Sequence, residues 1–463
     1  MGFLPRAGSL ALAGLGLATG LAAGLANAGE IWRSGEAYID LGGTVREIAL
    51  VSRGTSPEAF GTGLAQCFPP LVPAVPDPAE FANCPAFGAV GEKRVATSTT
   101  RLRLRMEARA NRHWSAVISI DNEFLAGTLD TFEANIGAAL AGRDFFDASG
   151  QIGEDPVAYR YSLYRGYLNF ESKYLEAAVG RQRIPWGVGR LWNPIDRFNA
   201  IRPLALQPGE SPGVDAINAR ILFSDFSQLQ LVFAPGRDAQ EHKYAARLQG
   251  MARNIDYGLV AGVFNGAMTL GADFSGNLGD AAGRAEIVYT RPGTGADRNV
   301  WPVGAPGPAP LDDFWQLVVS IDYNIDWGSG VYILAEHLYN GNALGFGFGL
   351  AGPLLGFSEQ TAGPPNYAYD ETSADRFGGS QVITRSSQLT GLQVGYELTP
   401  ELRLSALVIY DWEGESAVFF PSVAYSPLAW LDLTLGLQTT AGGPYSEFGD
   451  APTTGYLLAD FYF

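Results

Sequence analysis

The chain has 463 residues, 47% of them hydrophobic and 12% aromatic, with 58 glycines, a composition that suits many short strands and turns better than packed helices. A formal net charge of −17 speaks against a nucleic-acid partner, whose phosphates need a basic surface. Past residue 28 no run of about 18 apolar residues occurs, so no spanning helix is expected.

In chain order, Arg6 gives a short basic start, and a Gly- and Ala-rich apolar stretch runs from Ala7 to Ala26. Ala26-Asn27-Ala28 is the small-x-small pattern that a signal peptidase accepts, so 1–28 is expected to be a cleaved signal peptide. An uncleaved anchor is the alternative. Cys67 and Cys84 follow in a long link and are expected to form a disulfide, because an exported chain meets an oxidising compartment. No histidine lies near them, so no metal site is expected, and no Cys-x-x-Cys-His for haem occurs.

The clearest pattern starts near residue 100. Leu102, Leu104, Met106, Ala108 and Ala110 alternate with Arg101, Arg103, Arg105, Glu107 and Arg109. After a turn at 111–113, Trp114, Ala116, Ile118 and Ile120 alternate with Ser115, Ser119, Asp121 and Glu123. One arginine at a bilayer midplane facing lipid would cost about 2–4 kcal/mol, so the charged side must face water. On a helix, period-two alternation would scatter the arginines around the circumference.

Similar segments recur. Strands are expected near 36–47, 98–110, 114–126, 157–170, 173–183, 214–224, 228–235, 242–249 and 256–264. Others fall near 267–274, 283–291, 313–324, 330–339, 387–398, 401–411, 416–426, 430–439 and 454–463. The pattern predicts an all-β, transmembrane, antiparallel up-and-down barrel of about 18 strands, with 16 as the alternative, since bacterial single-chain barrels have an even number. Parity breaks in the fourth and fifth strands point to bulges around Gly166 and Gly180. Short turns alternate with the longer links 48–97, 127–156, 184–213, 292–312, 340–386 and 440–453. Short turns are expected in the periplasm and long loops outside the cell.

Parity then assigns the lumen. Arg101, Arg103, Arg105, Arg109, Asp121, Glu123, Arg160, Arg247, Arg284 and Glu286 are expected to line a pore, with Arg46, Arg165, Arg220, Lys243, Arg403, Asp215, Asp322, Glu397 and Asp460 on the same side. A turn centred on Arg112 puts Arg103 opposite Asp121 and Arg101 opposite Glu123, so many of these charges are expected to be wall-stabilising pairs. Arg284 is expected to pair with Glu286. Arg105 and Arg109 lie opposite Ser119 and Ser115 and are the better candidates to meet a solute.

The link 184–213 is too apolar for a free loop, with Trp186, Leu191, Trp192, Ile195, Phe198, Ile201, Leu204 and Leu206. It is expected to fold inward as a constriction, with Arg190, Asp196, Arg197 and Arg202 hanging into the water path beside Trp192; an external cap is the alternative. Gly180-Arg-Gln at the end of the fifth strand, followed by this loop, resembles porin families of the Gram-negative outer membrane, including general, phosphate-selective and alginate-export types. The last strand, 456–463, puts Leu457, Ala459, Phe461 and Phe463 on one face. It resembles the C-terminal signature of outer-membrane barrels, which implies that Phe461 and Phe463 are read by the barrel assembly machinery.

The expected function is a porin-like channel in the outer membrane of a Gram-negative bacterium, passing small hydrophilic solutes and favouring anions or carboxylates. Its partners would be outer-membrane lipids, the assembly machinery and the solutes, with a homo-oligomer left open and no cofactor. The alternatives are an exporter of an anionic polysaccharide and a structural or adhesive barrel. An enzyme is not expected, because none of His113, His242 and His337 has a serine at a convincing spacing.

Overall fold

The strand β14 (Phe314–Ile325) shows how the alternation is used. Phe314, Gln316, Val318, Ser320 and Asp322 are buried, whereas Trp315, Leu317, Val319, Ile321 and Tyr323 are exposed. A water-soluble sheet would bury its greasy face. The reverse arrangement is stable only where hydrocarbon covers the outside.

The computed structural model describes residues 29–55, 92–127, 145, 148–154, 157–199, 213–237, 239–293, 312–343, 382, 384–443, 446–449 and 451–463. The expected signal peptide, Cys67, Cys84 and Arg202 lie outside the described residues. The first strands are β1 (Gly29–Ser34), β2 (Ala37–Thr55), β3 (Glu92–Arg109), β4 (Trp114–Gly127), β5 (Ser149–Glu154), β6 (Val157–Glu171) and β7 (Leu175–Gln182). There follow β8 (Val214–Ser224), β9 (Ser227–Ala234), β10 (Lys243–Ala252), β11 (Ile255–Phe264), β12 (Ala267–Leu278) and β13 (Ala281–Arg291). After β14 come β15 (Val331–Asn340), β16 (Gln388–Thr399), β17 (Leu402–Asp411), β18 (Ser416–Leu428), β19 (Leu431–Ala441) and β20 (Thr453–Tyr462).

Each barrel strand pairs antiparallel with the next, and β2 pairs with β20 from Thr44–Tyr462 to Arg53–Thr453, which closes the ring. β4 pairs directly with β6, so β5 hangs on β6 alone, and β1 hangs on β2 alone. Eighteen strands therefore form the wall, and the alternative of sixteen falls away. Closure leaves the barrel with no free sheet edge, as a hydrocarbon surround requires.

Every expected strand occurs. β2 and β3 run further than their alternation suggested, because Ile48 and Leu50 face inward and are buried with Tyr456 and Leu458, leaving an apolar run without a polar side to read. β1 and β5 were not expected. The expected bulge near Gly166 falls at Tyr164: β4 and β6 slip register between Ser119 and Ile120, which pair with Arg165 and Leu163. Gly180 has φ +121°, and a side chain there would strike the backbone carbonyl of Gly166.

All connections at one end of the barrel are short. At the other end three connections are short as well: 235–242, 412–415, and Asn265-Gly266, whose φ values of 50° and 77° match the hairpin turn that glycine favours.

Candidate functional site

The register fixes the wall charges first. Arg103 faces Asp121 and Arg101 faces Glu123, each through a 2.6 Å hydrogen bond from Nε, and Arg103 adds a second from Nη2 at 2.7 Å. Arg160 reaches Glu123 at 4.0 Å, and Arg46 pairs with Asp460. Arg181 pairs twice with Asp215. Arg247 gives both its bonds to Asp273, an acid that the strand reading did not single out. These are the cross-strand pairs that hold a sheet in register.

The expected Arg284–Glu286 pair does not form. Arg284 turns to Asp322 on the neighbouring strand, at 3.1 Å, and Glu286 is taken by the loop after β7. Arg105 has no acid across the sheet, but it pairs along its own strand with Glu107 at 3.0 Å. Arg109 lies 5.9 Å from the ring centre of Tyr38, whose hydroxyl donates to Glu107.

The loop 183–199 is built around side chains that replace missing secondary structure. The Asp196 carboxylate accepts from the backbone N–H of Trp186, Phe198 and Asn199, and the Asn199 amide oxygen accepts from Ile184 N–H. Asn193 donates to the Trp186 carbonyl and accepts from Asp196 N–H. Burial pushes the Asp196 carboxyl up to about 6, against the pull of those donors.

This lobe lies against the inward face of the wall. Ile184, Trp186, Ile195 and Phe198 share one buried cluster with inward residues of β8 to β11 and β13. Leu191 and Trp192 share another with those of β14 to β18. Trp186 Nε1 donates to Gln230 at 2.9 Å. Glu286 accepts from Val188, Gly189 and Ile195 N–H at 2.5, 2.6 and 3.2 Å. Glu336 accepts from Arg190, Leu191 and Trp192 N–H at 2.7, 2.8 and 2.7 Å. Hydrogen bonds to a charged group contribute about 1.5–3 kcal/mol each, so these six outweigh ordinary loop contacts.

Two expected water-path residues are elsewhere. Asp196 is 2% exposed and is consumed inside the lobe, and Arg197 is 1% exposed, donating to Thr290 and Gln316 at 3.0 Å each. A guanidinium without buried acceptors would have stayed in water, and the wall supplies those acceptors. Arg190 is exposed. Arg183, which the sequence reading passed over, is exposed too and makes no ion pair among the described residues.

Arg183 borders a cavity of about 490 Å³, together with Arg103, Arg105, Arg165 and Arg220. Glu171, Glu176, Asn169, Asn218 and Gln182 are among its other polar lining residues. The bulge puts Tyr164 here, and the guanidinium carbons of Arg103 and Arg165 lie 3.5 and 4.0 Å from its ring centre. Stacking on an aromatic face helps to hold both cations in place. The signal that could have found this site is the bulge, which brings Tyr164 and Arg165 to the same side.

No protein-family model and no curated protein matches the sequence. Solved structures do match. OccAB1 of Acinetobacter baumannii is 11% identical, with 94% of this chain and 98% of that chain covered and a TM-score of 0.51. A BenF-like porin from Pseudomonas fluorescens is 11% identical over 92% and 98%, with a TM-score of 0.49. OccK1 of Pseudomonas aeruginosa is 10% identical over 92% and 98%, with a TM-score of 0.48. In fold, the chain is a closed eighteen-strand antiparallel barrel similar to OccAB1.

Proposed function

We propose that the protein is an outer-membrane channel through which small hydrophilic solutes diffuse passively, with anions such as carboxylates favoured. The observation that carries this reading is the cavity bordered by five guanidiniums, on β3, β6, β8 and the start of the loop. The described loop packs on β8 to β18, so the water path runs on the other side, past this basic wall. A lumen lined by fixed charge concentrates counter-ions and sets ion preference. The loop 184–213 is the constriction in this reading, the first 28 residues are the export signal, and Phe461 and Phe463 are the assembly signal.

Purified protein in planar bilayers, under a salt gradient, tests the proposal. Discrete conductance steps with a reversal potential on the anion side are expected. A cation-side potential would remove the anion preference, and an absence of steps would leave a structural barrel.

A further inference from the structure

The wall carboxylates under the loop carry an inference that rests on the channel reading and goes beyond it. Glu286 and Glu336 stand on inward positions of β13 and β15, and both are 1% exposed. A buried carboxylate must be matched by donors, and among the described residues neither makes an ion pair of the kind that Asp121, Asp215 and Asp273 make. Their donors are six loop N–H groups, contributed by Val188 to Trp192 in unbroken succession and by Ile195. Five successive amides pointing at two carboxylates form a concave run of donors of the kind that binds anions.

The loop sequence is fitted to this contact. Gly187 has φ +81°, and a side chain there would run into the carboxylate of Glu286 and the amide of Asn193. A side chain on Gly189 would meet the Trp192 carbonyl and Glu286. On β16, Gly391 leaves the space that Leu191 fills. Glycine at these places allows backbone to approach closely, which a loop only passing over the wall would not need.

We infer that Glu286 and Glu336 are positioning residues that clamp the loop to the wall and thereby set the width of the passage and the size limit of its solutes. They touch no solute. They act through the loop backbone that they hold.

The variant Glu286→Gln/Glu336→Gln tests this. Each glutamine keeps one acceptor oxygen and sets an NH2 donor against the loop amides, so both clamps are weakened with little change of volume. Hydrogen exchange of the detergent-solubilised barrel should show protection of amides 188–192 and 195 falling by about tenfold or more, the factor for losing a single charge-assisted hydrogen bond. In planar bilayers the same variant should conduct more, with noisier open-channel current, and should admit larger neutral sugars in liposome swelling. Gly189→Val, which disturbs the clamp from the loop side, should do the same. Unchanged protection would overturn the clamp whether or not the wild type conducts. Lost protection with unchanged conductance and sugar cut-off would overturn its control of the passage. A wild type without conductance would defeat the channel reading, while the exchange measurement still decides the clamp.

Discussion

Arg183 is the residue on which the selectivity argument is most exposed. The cavity has five guanidiniums, of which Arg103, Arg105 and Arg220 are paired with Asp121, Glu107 and Glu176, and it also has Glu171 in its lining. Five cations against these four carboxylates leave one net positive charge, so Arg183→Glu reverses the local sign. An ion passing about 5 Å away in water feels roughly 0.8 kcal/mol from one charge, and screening at 0.1 M salt leaves about 0.5. At about 10 Å the figure is nearer 0.15 kcal/mol. Reversal doubles each and acts oppositely on anions and cations, which gives about threefold to about thirtyfold in the permeability ratio. Reversal potentials at 0.1 M and 0.01 M salt measure it, and the shift toward cations should grow at the lower salt. Arg291→Glu, at an exposed outward site beside Asp313, is the control and should shift nothing. If Arg183→Glu leaves the potential unchanged at 0.01 M, the cavity is not on the ion path.

Other predictions follow from the wall and the loops. Asp121→Asn removes the shared partner of Arg103 and Arg101 and should destabilise the barrel by up to about 3–5 kcal/mol, the range for broken buried pairs, read as a lower unfolding temperature in detergent gels; Arg103→Ala on top should recover part of the loss, and no recovery would mean that the pair is not coupled. Glu447 is buried between two loops, and its Oε2 accepts from Arg385 and Ser386 N–H. Burial pushes its carboxyl up to about 7, with Arg385 opposing and Asp411 adding to the rise, and Glu413 holds the adjoining Ser387. A folded-state value above the ordinary 4.5 means that the clasp is strongest below pH 4.5 and weakens as the pH rises through about 7. Protection of the Arg385 and Ser386 amides, corrected for intrinsic exchange, should thus be higher at acid pH, and Glu447→Gln should abolish the difference; a wild type with equal protection at both ends of this window contradicts it. Phe463→Asp should reduce the yield of heat-modifiable barrel, and wild-type yield would count against an assembly role.

The wall was legible because lipid on one side and water on the other impose a period of two that few residues can escape. The charged hairpin even gave its register, since a turn centred on Arg112 leaves only one way to pair Arg103 with Asp121. Where both sides of a strand are apolar, as at Ile48 to Val51, the period vanishes and the strand end could not be read. β5 was hidden for a different reason: it pairs only with β6, outside the ring, and needs no lipid-facing side. The loop's apolar content pointed to burial, but its charges were read by residue type alone. Arg197 is buried because Thr290 and Gln316, about a hundred residues along the chain, accept from it, and no local pattern announces such partners.

The same distinction governs what the lumen can do. Counting inward arginines along the strands suggests a strongly basic channel, yet most of these cations face a carboxylate across the sheet or beside them on it. A paired guanidinium stiffens the wall and contributes little field at a distance, because its partner's opposite charge lies within about 3 Å and the two nearly cancel at distances well beyond that separation. Field survives where pairing stops. One such place is the seam where β7 ends and the loop begins, because the chain leaves the ladder there and Arg183 has no strand opposite to supply an acid. Selectivity in such a barrel is therefore set less by the composition of its strands than by the points at which loop backbone departs from them. The clamp of Glu286 and Glu336 matters for the same reason: it decides how close that unpaired charge stands to the passing solute.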